Sequence, residues 1–307
     1  MPRTRMRAAE PRIELASHAA LQSTLQRLWQ DAVMREPALA GLRGAPALDT
    51  LALHAVAFDQ DDRPLGTARL SPDHRLGPLL VLPEARSRGI GQALLAALAG
   101  AARLRHCRQL TLEAPLALHA FFAAQGFIPE GEPHSREGIP HQSMRRAFDG
   151  AVVIEDPAQA AAACIGITAG TRRTLRIYSR ELDPGLLDQP ALVQRIRRLC
   201  TGTRDAMVQI LLHDAQAPQR ASAPLLALSQ RLPSRFALRQ VSDPVDQAYP
   251  SAYLVNDRGG YYFRTLGHRL EGEADMDGAG RARQLRDSFA SVWERARPCA
   301  ELRALGL

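Results

Sequence analysis

The sequence has no lysine and a single asparagine, Asn256, in 307 residues. All 39 basic residues are therefore arginine, which points to the coding bias of a GC-rich bacterial genome rather than to a binding adaptation. Charges of the two signs are mixed along the chain, with 18 arginines against 15 acids through residue 150 and 21 against 17 after it. The net charge of +7 permits contact with nucleic acid but does not argue for it.

Cysteine is also scarce. The four cysteines are widely spaced and form no Cys-x-x-Cys pair: Cys107, Cys164, Cys200 and Cys299. This spacing excludes the common disulfide frameworks and zinc motifs. We expect reduced packing residues in a cytoplasmic protein, with no metal site.

No apolar run is long enough to cross a bilayer. The longest, residues 90–102, is interrupted by Gln92 and Gly100. The opening segment "MPRTRMRAAEPR" has charge but no apolar stretch behind it, so no secretory signal is expected. An apolar content of 46% nevertheless supports packed cores, and the length suggests about two domains.

The stretch "LPEARSRGIGQALL", residues 82–95, joins a short apolar run to an Ala/Leu-rich run that predicts a helix. The first N–H groups of such a helix lack carbonyl partners, and its dipole favours an anion there. Gly89 and Gly91 leave the approach open, while Arg86 and Arg88 add positive charge. The sequence therefore predicts a phosphate or pyrophosphate site.

Two common phosphate loops do not fit this stretch. A P-loop requires Gly-Lys-Ser/Thr, but Gln92 and Ala93 follow the glycines. The dinucleotide fingerprint requires a third glycine where Leu94 stands. On the short motif alone, a structural strand-to-helix turn also remains open.

The first half alternates predicted strands and helices in the order β-α-β-β-β-loop-α-β-α-β. The predicted segments are, in chain order, "RIELAS", "ALQSTLQRLWQDAV", three strands within residues 51–83, the loop and its helix, "QLTLEAP", "LALHAFFAAQGF" and "GIPHQSMRRAF". With the spacing Arg86-x-x-Gly89-x-Gly91, this order resembles the GNAT acetyltransferase superfamily over residues 12–147. "RPLGTARL", "FFAAQGF" and "EGIPHQSM" resemble further motifs of that family.

The resemblance implies a GNAT acyltransferase fold over residues 1–150 with acetyl-coenzyme A as co-substrate. It implies that strand backbone groups meet the pantetheine arm, and that loop N–H groups hold the pyrophosphate. The residues so implied are Leu79, Leu80, Val81, Arg86, Ser87, Arg88, Gly89, Ile90, Gly91, Gln92 and Ala93. An amine acceptor would attack the thioester directly, with its identity open among small molecules, peptide N-termini and protein lysines.

The implied catalytic positions depart from the family pattern. The family usually places a tyrosine, acting as acid to the leaving thiolate, where this chain has Phe122. Glu113 is the first candidate for the base that takes the amine proton, followed by His119, His134 and His141. Two hypotheses stay open: a slowed N-acetyltransferase, because thiols leave well without a strong acid, or a catalytically impaired coenzyme-binding regulator that contacts nucleic acid or a protein.

The second half predicts another layered α/β domain over residues 151–307. Its predicted segments are "TLRIYSREL", "QPALVQRIRRLC", "AMVQILLHD", "APLLALSQRLP", "FALRQV", "AYLVND", "GYYFRT" and "RARQLRDSFASVWERA". This order resembles one half of the phospholipase D fold, whose active form carries His-x-Lys-x4-Asp. Counting back from Asp257 places Pro250 at the histidine and Ala252 at the lysine.

The second half is therefore expected to be a non-catalytic binding or docking module. Arg176, Arg180 and Arg258 are candidate anion contacts, although a solvated arginine face is the favoured explanation for them. The segment "DGAVVIEDPAQ" combines turn residues with a change of pattern. We expect the two halves to fold separately, with the boundary within residues 149–156.

Overall fold

A computed structural model describes residues 11–37, 39, 49–221, 223–299 and 302 of the chain. The chain divides into two compact units, Met1–Glu113 and Ala114–Leu307. This division follows compactness and falls inside a strand. Separate folding of residues 1–150 and 151–307 concerns the isolated pieces and stays a prediction.

Among its described residues, the first unit contains an antiparallel sheet and two long helices. The sheet has the order β1-β2-β3-β4. Its strands are β1 (Arg12–Ser17), β2 (Leu53–Phe58), β3 (Pro64–Leu70) and β4 (Leu80–Val81). The helices are α1 (His18–Arg35) and α2 (Ile90–Leu104), and the strand β5 (Gln109–Pro115) begins in this unit. The element order predicted for residues 12–115 is confirmed.

Helical spacing of apolar residues makes α1 one layer of this unit. Its buried residues recur every three or four positions: Leu21, Leu25, Leu28, Trp29 and Ala32. Leu21 and Leu25 form a cluster with Val56 and Phe58 of β2. An apolar stripe of this kind is stable only when another element covers it, which fixes α1 against the sheet.

The strand before the glycine-rich loop is shorter than expected. The run "LGPLLVLP" predicts a strand over residues 76–83, whereas β4 comprises only Leu80–Val81. A Cβ atom on Gly66 of β3 would lie 2.6 Å from the Leu80 carbonyl oxygen. Glycine at this position thus allows β4 to approach β3 closely.

The second unit begins with a helix and a hairpin and continues into a large sheet. The helix is α3 (His119–Ala123), and the antiparallel pair is β6 (Ile128–Arg136) with β7 (Ile139–Ala147). The large sheet has eight strands in the order β15-β11-β10-β9-β12-β13-β14-β8. Its strands are β8 (Val152–Ile154), β9 (Thr174–Ser179), β10 (Met207–Leu212), β11 (Phe236–Gln240), β12 (Ala252–Asn256), β13 (Tyr261–Arg264), β14 (Gly272–Asp275) and β15 (Arg297–Pro298).

The neighbouring strands β9, β10 and β11 of this sheet are parallel, and its other pairings are antiparallel. The remaining helices are α4 (Pro157–Gly170), α5 (Pro190–Gly202), α6 (Ala217–Arg220), α7 (Pro224–Arg231), α8 (Pro244–Gln247) and α9 (Ala279–Arg295). One core joins a sheet face to α4, α5 and α7, and a second core joins the opposite face to α9. The mixed α/β architecture predicted for this half is confirmed.

The sequence prediction lacks seven elements that the structure shows in the second unit: β6, β8, β14, β15, α4, α6 and α8. Helix α4 is buried on nearly every side over residues 160–168. The Asp156 carboxylate caps it by accepting a hydrogen bond from the Gln159 N–H at 2.9 Å. A Cβ on Gly166 would lie 2.9 Å from the Ala123 carbonyl oxygen, so glycine permits close packing of α3 on α4.

The four cysteines are free thiols, and all are buried. Among the described residues, no helix combines the length and the apolar character needed to span a membrane.

Candidate functional site

An open strand edge leads into the predicted anion loop. The Leu76 N–H donates to the Thr111 carbonyl at 2.8 Å, and the Thr111 N–H donates to the His74 carbonyl at 3.2 Å. These bonds join the chain before β4 to the middle of β5. Further along, β4 pairs with β3 alone within the described strands. Leu79, Leu80 and Val81 therefore lie at an edge whose second side has no strand partner.

The loop after β4 contains two residues in left-handed conformations. A single 3₁₀ turn, Pro83–Ala85, follows β4. Ser87 and Gly89 then adopt left-handed conformations, with φ of 60° and 82°. Such residues occur in backbone nests that hold anions. A Cβ on Gly89 would have no atom within 4 Å, so the approach to the start of α2 is open.

The start of α2 supplies the predicted N–H donors. The first hydrogen bond of the helix runs from the Ala93 N–H to the Gly89 carbonyl at 3.0 Å. The N–H groups of Ile90, Gly91 and Gln92 precede it and have no helical acceptor. The helix is 15 residues long, so its dipole adds a favourable field for an anion at this end.

The Arg86 guanidinium already has hydrogen-bond acceptors within the first unit. Its Nη1 and Nη2 atoms donate to the two carboxylate oxygens of Glu36 at 2.8 and 2.7 Å, and its Nε donates to the Val81 carbonyl at 3.1 Å. The hydrogen bonds from Arg86 lower the pKa of Glu36, and the pair raises the pKa of Arg86 in turn. Arg88, by contrast, is exposed and forms no ion pair with any described residue.

Glu36 is a site residue that sequence reasoning missed. It lies 50 positions before Arg86, at the end of α1. No motif or periodicity joins the two positions, so only the fold shows that they meet.

Glu113, the first candidate base, lies in β5 beyond the bridge to residues 74–76. Its Oε1 atom accepts from Nη2 of Arg75 at 3.2 Å, and its side chain is 17% exposed. Glu113 is therefore a largely buried carboxylate that pairs with Arg75.

Phe122 and His141 belong to the second unit. The Phe122 ring is 6% exposed and packs edge-to-face against Phe121 and Phe127, with ring centroids 5.1 and 6.2 Å apart. His141 is buried, and its Nδ1 lies 2.9 Å from the Ile139 carbonyl. Because a carbonyl can only accept, Nδ1 carries a proton in this bond.

The other two candidate histidines differ in environment. His134 is exposed and stands opposite His141 in the β6–β7 register. His119 is half-buried at the start of α3, and burial lowers its pKa, which favours the neutral ring at neutral pH. Its Nε2 atom is buried with no hydrogen-bond partner among the described residues.

The three arginines singled out in the second half do not form one site. Arg176 lies in β9, Arg180 just after its end, and Arg258 in the β12–β13 turn. The Arg258 N–H donates to the Asn256 side chain at 2.8 Å. The Asp257 carboxylate accepts hydrogen bonds from the N–H groups of Arg172 and Arg173 at 2.9 Å each, so this side chain links the end of β12 to the backbone just before β9.

No cluster of three or more metal-ligating side chains occurs among the described residues. The features that could hold a cofactor are therefore the open edge of β4, the loop and the start of α2. They share one unit with Glu113.

Two family models match parts of the chain. Residues 47–148 match the model of the acetyltransferase (GNAT) domain, so the N-terminal half carries a GNAT acetyltransferase domain. Residues 156–305 match the model of a domain of unknown function, DUF7931. No curated protein matches the chain. The resemblance of the second half to phospholipase D stays a prediction.

Several solved structures are similar to part of the chain. An acyl-CoA N-acyltransferase from Pseudomonas aeruginosa is 24% identical, with a TM-score of 0.40, over 45% of this chain and 100% of that one. Escherichia coli ElaA is 23% identical, with a TM-score of 0.40, over 45% and 99%. A GNAT family acetyltransferase from Elizabethkingia anophelis with acetyl-CoA bound is 16% identical, with a TM-score of 0.34, over 44% and 98%.

Proposed function

We propose that this chain, whose N-terminal half carries a GNAT acetyltransferase domain, is an acetyl-coenzyme A-dependent N-acetyltransferase that acts on a primary amine in a ternary complex. The observation that carries the proposal is the match of residues 47–148, which contains the open edge of β4 and the loop that leads into α2. The family match supports an acyltransferase. The acetyl group, the acceptor and the mechanism are parts of the proposal.

The residues present fit the coenzyme. Nothing lies where a Cβ on Gly89 would point, and the N–H groups at the start of α2 lack helical acceptors. In this proposal the backbone from Arg86 to Gln92, with Ala93 completing the first turn, holds the pyrophosphate. The open edge from Leu79 to Val81 holds the pantetheine arm, and Arg88 supplies an uncommitted positive charge.

The bound coenzyme supplies a thioester whose carbonyl carbon accepts the amine. A C–N bond forms, the C–S bond breaks and the thiolate leaves, while the amine gives up one proton. Glu113 is the proposed acceptor of that proton, by itself or through a water. A backbone N–H at the open edge of β4 would stabilise the developing oxyanion. Holding both reactants in one site supplies much of the remaining acceleration.

A second function has one observation in its favour. Phe122 stands where the family resemblance expects a tyrosine, and it offers no proton to a leaving thiolate. Its burial among Phe121 and Phe127 suits a packing role. The chain would then be a catalytically impaired coenzyme-binding regulator, with the second half contacting nucleic acid or a protein.

We further propose a phospholipase D-like, non-catalytic accessory role for the second half. Pro250 and Ala252 at the expected histidine and lysine positions support the absence of that chemistry. The four free thiols support a reducing, cytoplasmic location.

The test of the proposed function uses calorimetry and a thiol-release assay. Gly89→Glu places an anionic side chain at the pyrophosphate position, so coenzyme A should bind at least tenfold more weakly, about 1.4 kcal/mol. Gly185→Glu is the matched control, because Gly185 has a φ of 84° and equally open surroundings. Wild-type affinity in the Gly89 variant would remove the loop from the coenzyme site.

Turnover separates the two functions. Wild-type protein should release thiol from acetyl-coenzyme A in the presence of one or more amines from a broad library. Coenzyme binding without thiol release for any amine would favour the regulator.

A further inference from the structure

The sheet face that α9 covers combines apolar side chains with polar ones, and Arg176 and Gln209 form one polar row on it. Tyr178, Tyr253 and Val255 of the sheet pack there against Leu285 and Phe289 of the helix. Arg176 and Gln209 occupy neighbouring positions in the β9–β10 register. Their chain neighbours face the opposite core, so strand alternation places both side chains on the α9 face.

Arg176 is a half-buried cation without an anionic partner. Its Cζ atom lies 5.9 Å from the centroid of the Phe289 ring. Within the described part of the chain it forms no ion pair and donates no hydrogen bond. The buried arginines Arg69 and Arg264 behave differently, because each pairs with a carboxylate, Asp49 and Asp183 respectively.

A second cation approaches Arg176 from the helix. Arg286 lies three residues before Phe289 on α9, and its Nη1 donates to the Asn256 carbonyl at 3.2 Å. Burial first and the charge of Arg286 second lower the pKa of Arg176. The attraction of Asp257 and Asp287 does not offset these effects. An anion between the two guanidinium groups would relieve their repulsion.

Gln209 adds an amide to the same row. Its Oε1 atom is buried and has no hydrogen-bond donor among the described residues. A half-turn of the amide would replace this oxygen with the NH₂ group, which donates two hydrogen bonds. An anion in the row would give that group an acceptor.

From this arrangement we propose that Arg176, Arg286 and Gln209, here called the Arg176 cluster, bind the phosphate group of a small ligand. Guanidinium groups bind phosphate oxygens with paired, charge-assisted hydrogen bonds. The half-buried position of Arg176 suits a single phosphate group rather than an extended polyanion.

The test uses the full chain with inorganic phosphate as the probe. Calorimetric titrations are run in a chloride buffer free of other oxyanions, with coenzyme A at saturation so that its own site is filled. Arg176→Gln should weaken phosphate binding at least tenfold. Arg283→Gln is the matched control, since Arg283 is an exposed arginine of α9 and forms no ion pair with a described residue. Its affinity should equal that of the wild type.

Stability supplies a second readout that a purely structural arginine would not give. Without phosphate, Arg176→Gln should melt at or above the wild-type temperature, because it removes an unpaired cation. Added phosphate should raise the wild-type melting temperature but not that of the variant. If Arg176→Gln does not fold, Arg286→Gln takes its place with the same expected loss of phosphate binding.

Equal phosphate binding by wild type and both cluster variants would overturn the proposal, as would no binding by wild type at millimolar phosphate. A single-stranded oligonucleotide is titrated in parallel. Tighter, Arg176-dependent binding of the oligonucleotide than of phosphate would overturn the assignment to a small ligand.

Discussion

Glu36 forms an ion pair with Arg86, so at the proposed loop its carboxylate would compete with the coenzyme pyrophosphate for this arginine. Both carboxylate oxygens of Glu36 accept from the guanidinium, at 2.8 and 2.7 Å. A pyrophosphate at the loop must draw Arg86 away from Glu36 or bind with a carboxylate nearby, and either situation opposes binding. We therefore expect Glu36→Gln to strengthen the binding of coenzyme A.

The expected gain is modest because solvent reaches the pair. The side chains of Arg86 and Glu36 are 46% and 35% exposed, and ion pairs of this kind contribute little. We expect a gain of roughly twofold to fivefold in affinity. It should shrink in 1 M salt, where the screening length falls to about 3 Å. Because Arg86 lowers the pKa of Glu36, the competition should not vary with pH in the neutral range.

Calorimetry with coenzyme A at about 0.1 M and 1 M salt measures this gain. Glu84→Gln is the matched control, because Glu84 pairs with Arg35 and Arg63 rather than with Arg86. Equal gains in both variants would assign the effect to general negative charge near the loop. Unchanged or weaker binding by Glu36→Gln would refute the competition, and Glu36 would then be a residue that orients Arg86.

Three further predictions concern chemistry, domain separation and pH. Phe122→Tyr should raise the rate of acetyl transfer, measured by thiol release, roughly tenfold to a hundredfold, with little change in the affinity for coenzyme A. A slower variant would instead place Phe122 in the acceptor pocket. Fragments 1–150 and 151–307 should each unfold cooperatively. Both should melt below the full chain, because Ala123 and Ile128 lie in the first fragment but belong to the core of the second half. A non-cooperative 1–150 fragment would show that the first half depends on the second. Burial lowers the pKa of His54 in the folded state. The stability contributed by the neutral ring is therefore complete above about pH 6.5 and is lost as the pH falls through the lower folded-state pKa. Denaturant titrations between about pH 8 and 5 should show this loss of unfolding free energy, and His54→Gln should reduce it.

The loop and its helix could be predicted from sequence because their signals are local. Proline, glycines and an Ala/Leu run within residues 82–95 fix a turn and a helix whatever surrounds them. The short β4 could not be predicted in the same way. The apolar run around β4 predicts an eight-residue strand. The number of residues that actually pair depends on the close approach to β3 at Gly66 and on how far β4 lies from β5.

Helix α4 and strand β6 were missed for opposite physical reasons. Helix α4 is buried all round, so the alternation of apolar and polar residues that marks a surface helix is absent. Strand β6 is exposed over most of its length and contains two prolines, which count against a strand. Its pairing with β7 overrides that local preference, with an irregularity between Glu130 and His134.

The absence of lysine bears directly on the proposed chemistry. A transferase that acetylates amines commonly exposes its own ε-amines to the thioester, but this chain presents guanidinium groups in their place. Guanidinium groups stay protonated at any pH at which the enzyme would work, so they offer no nucleophilic nitrogen. Acetyl-lysine formed in a mixture of this chain with a protein acceptor must therefore lie on the acceptor. Mass spectrometry of such a mixture would thus identify a protein substrate without a background from the enzyme's own side chains.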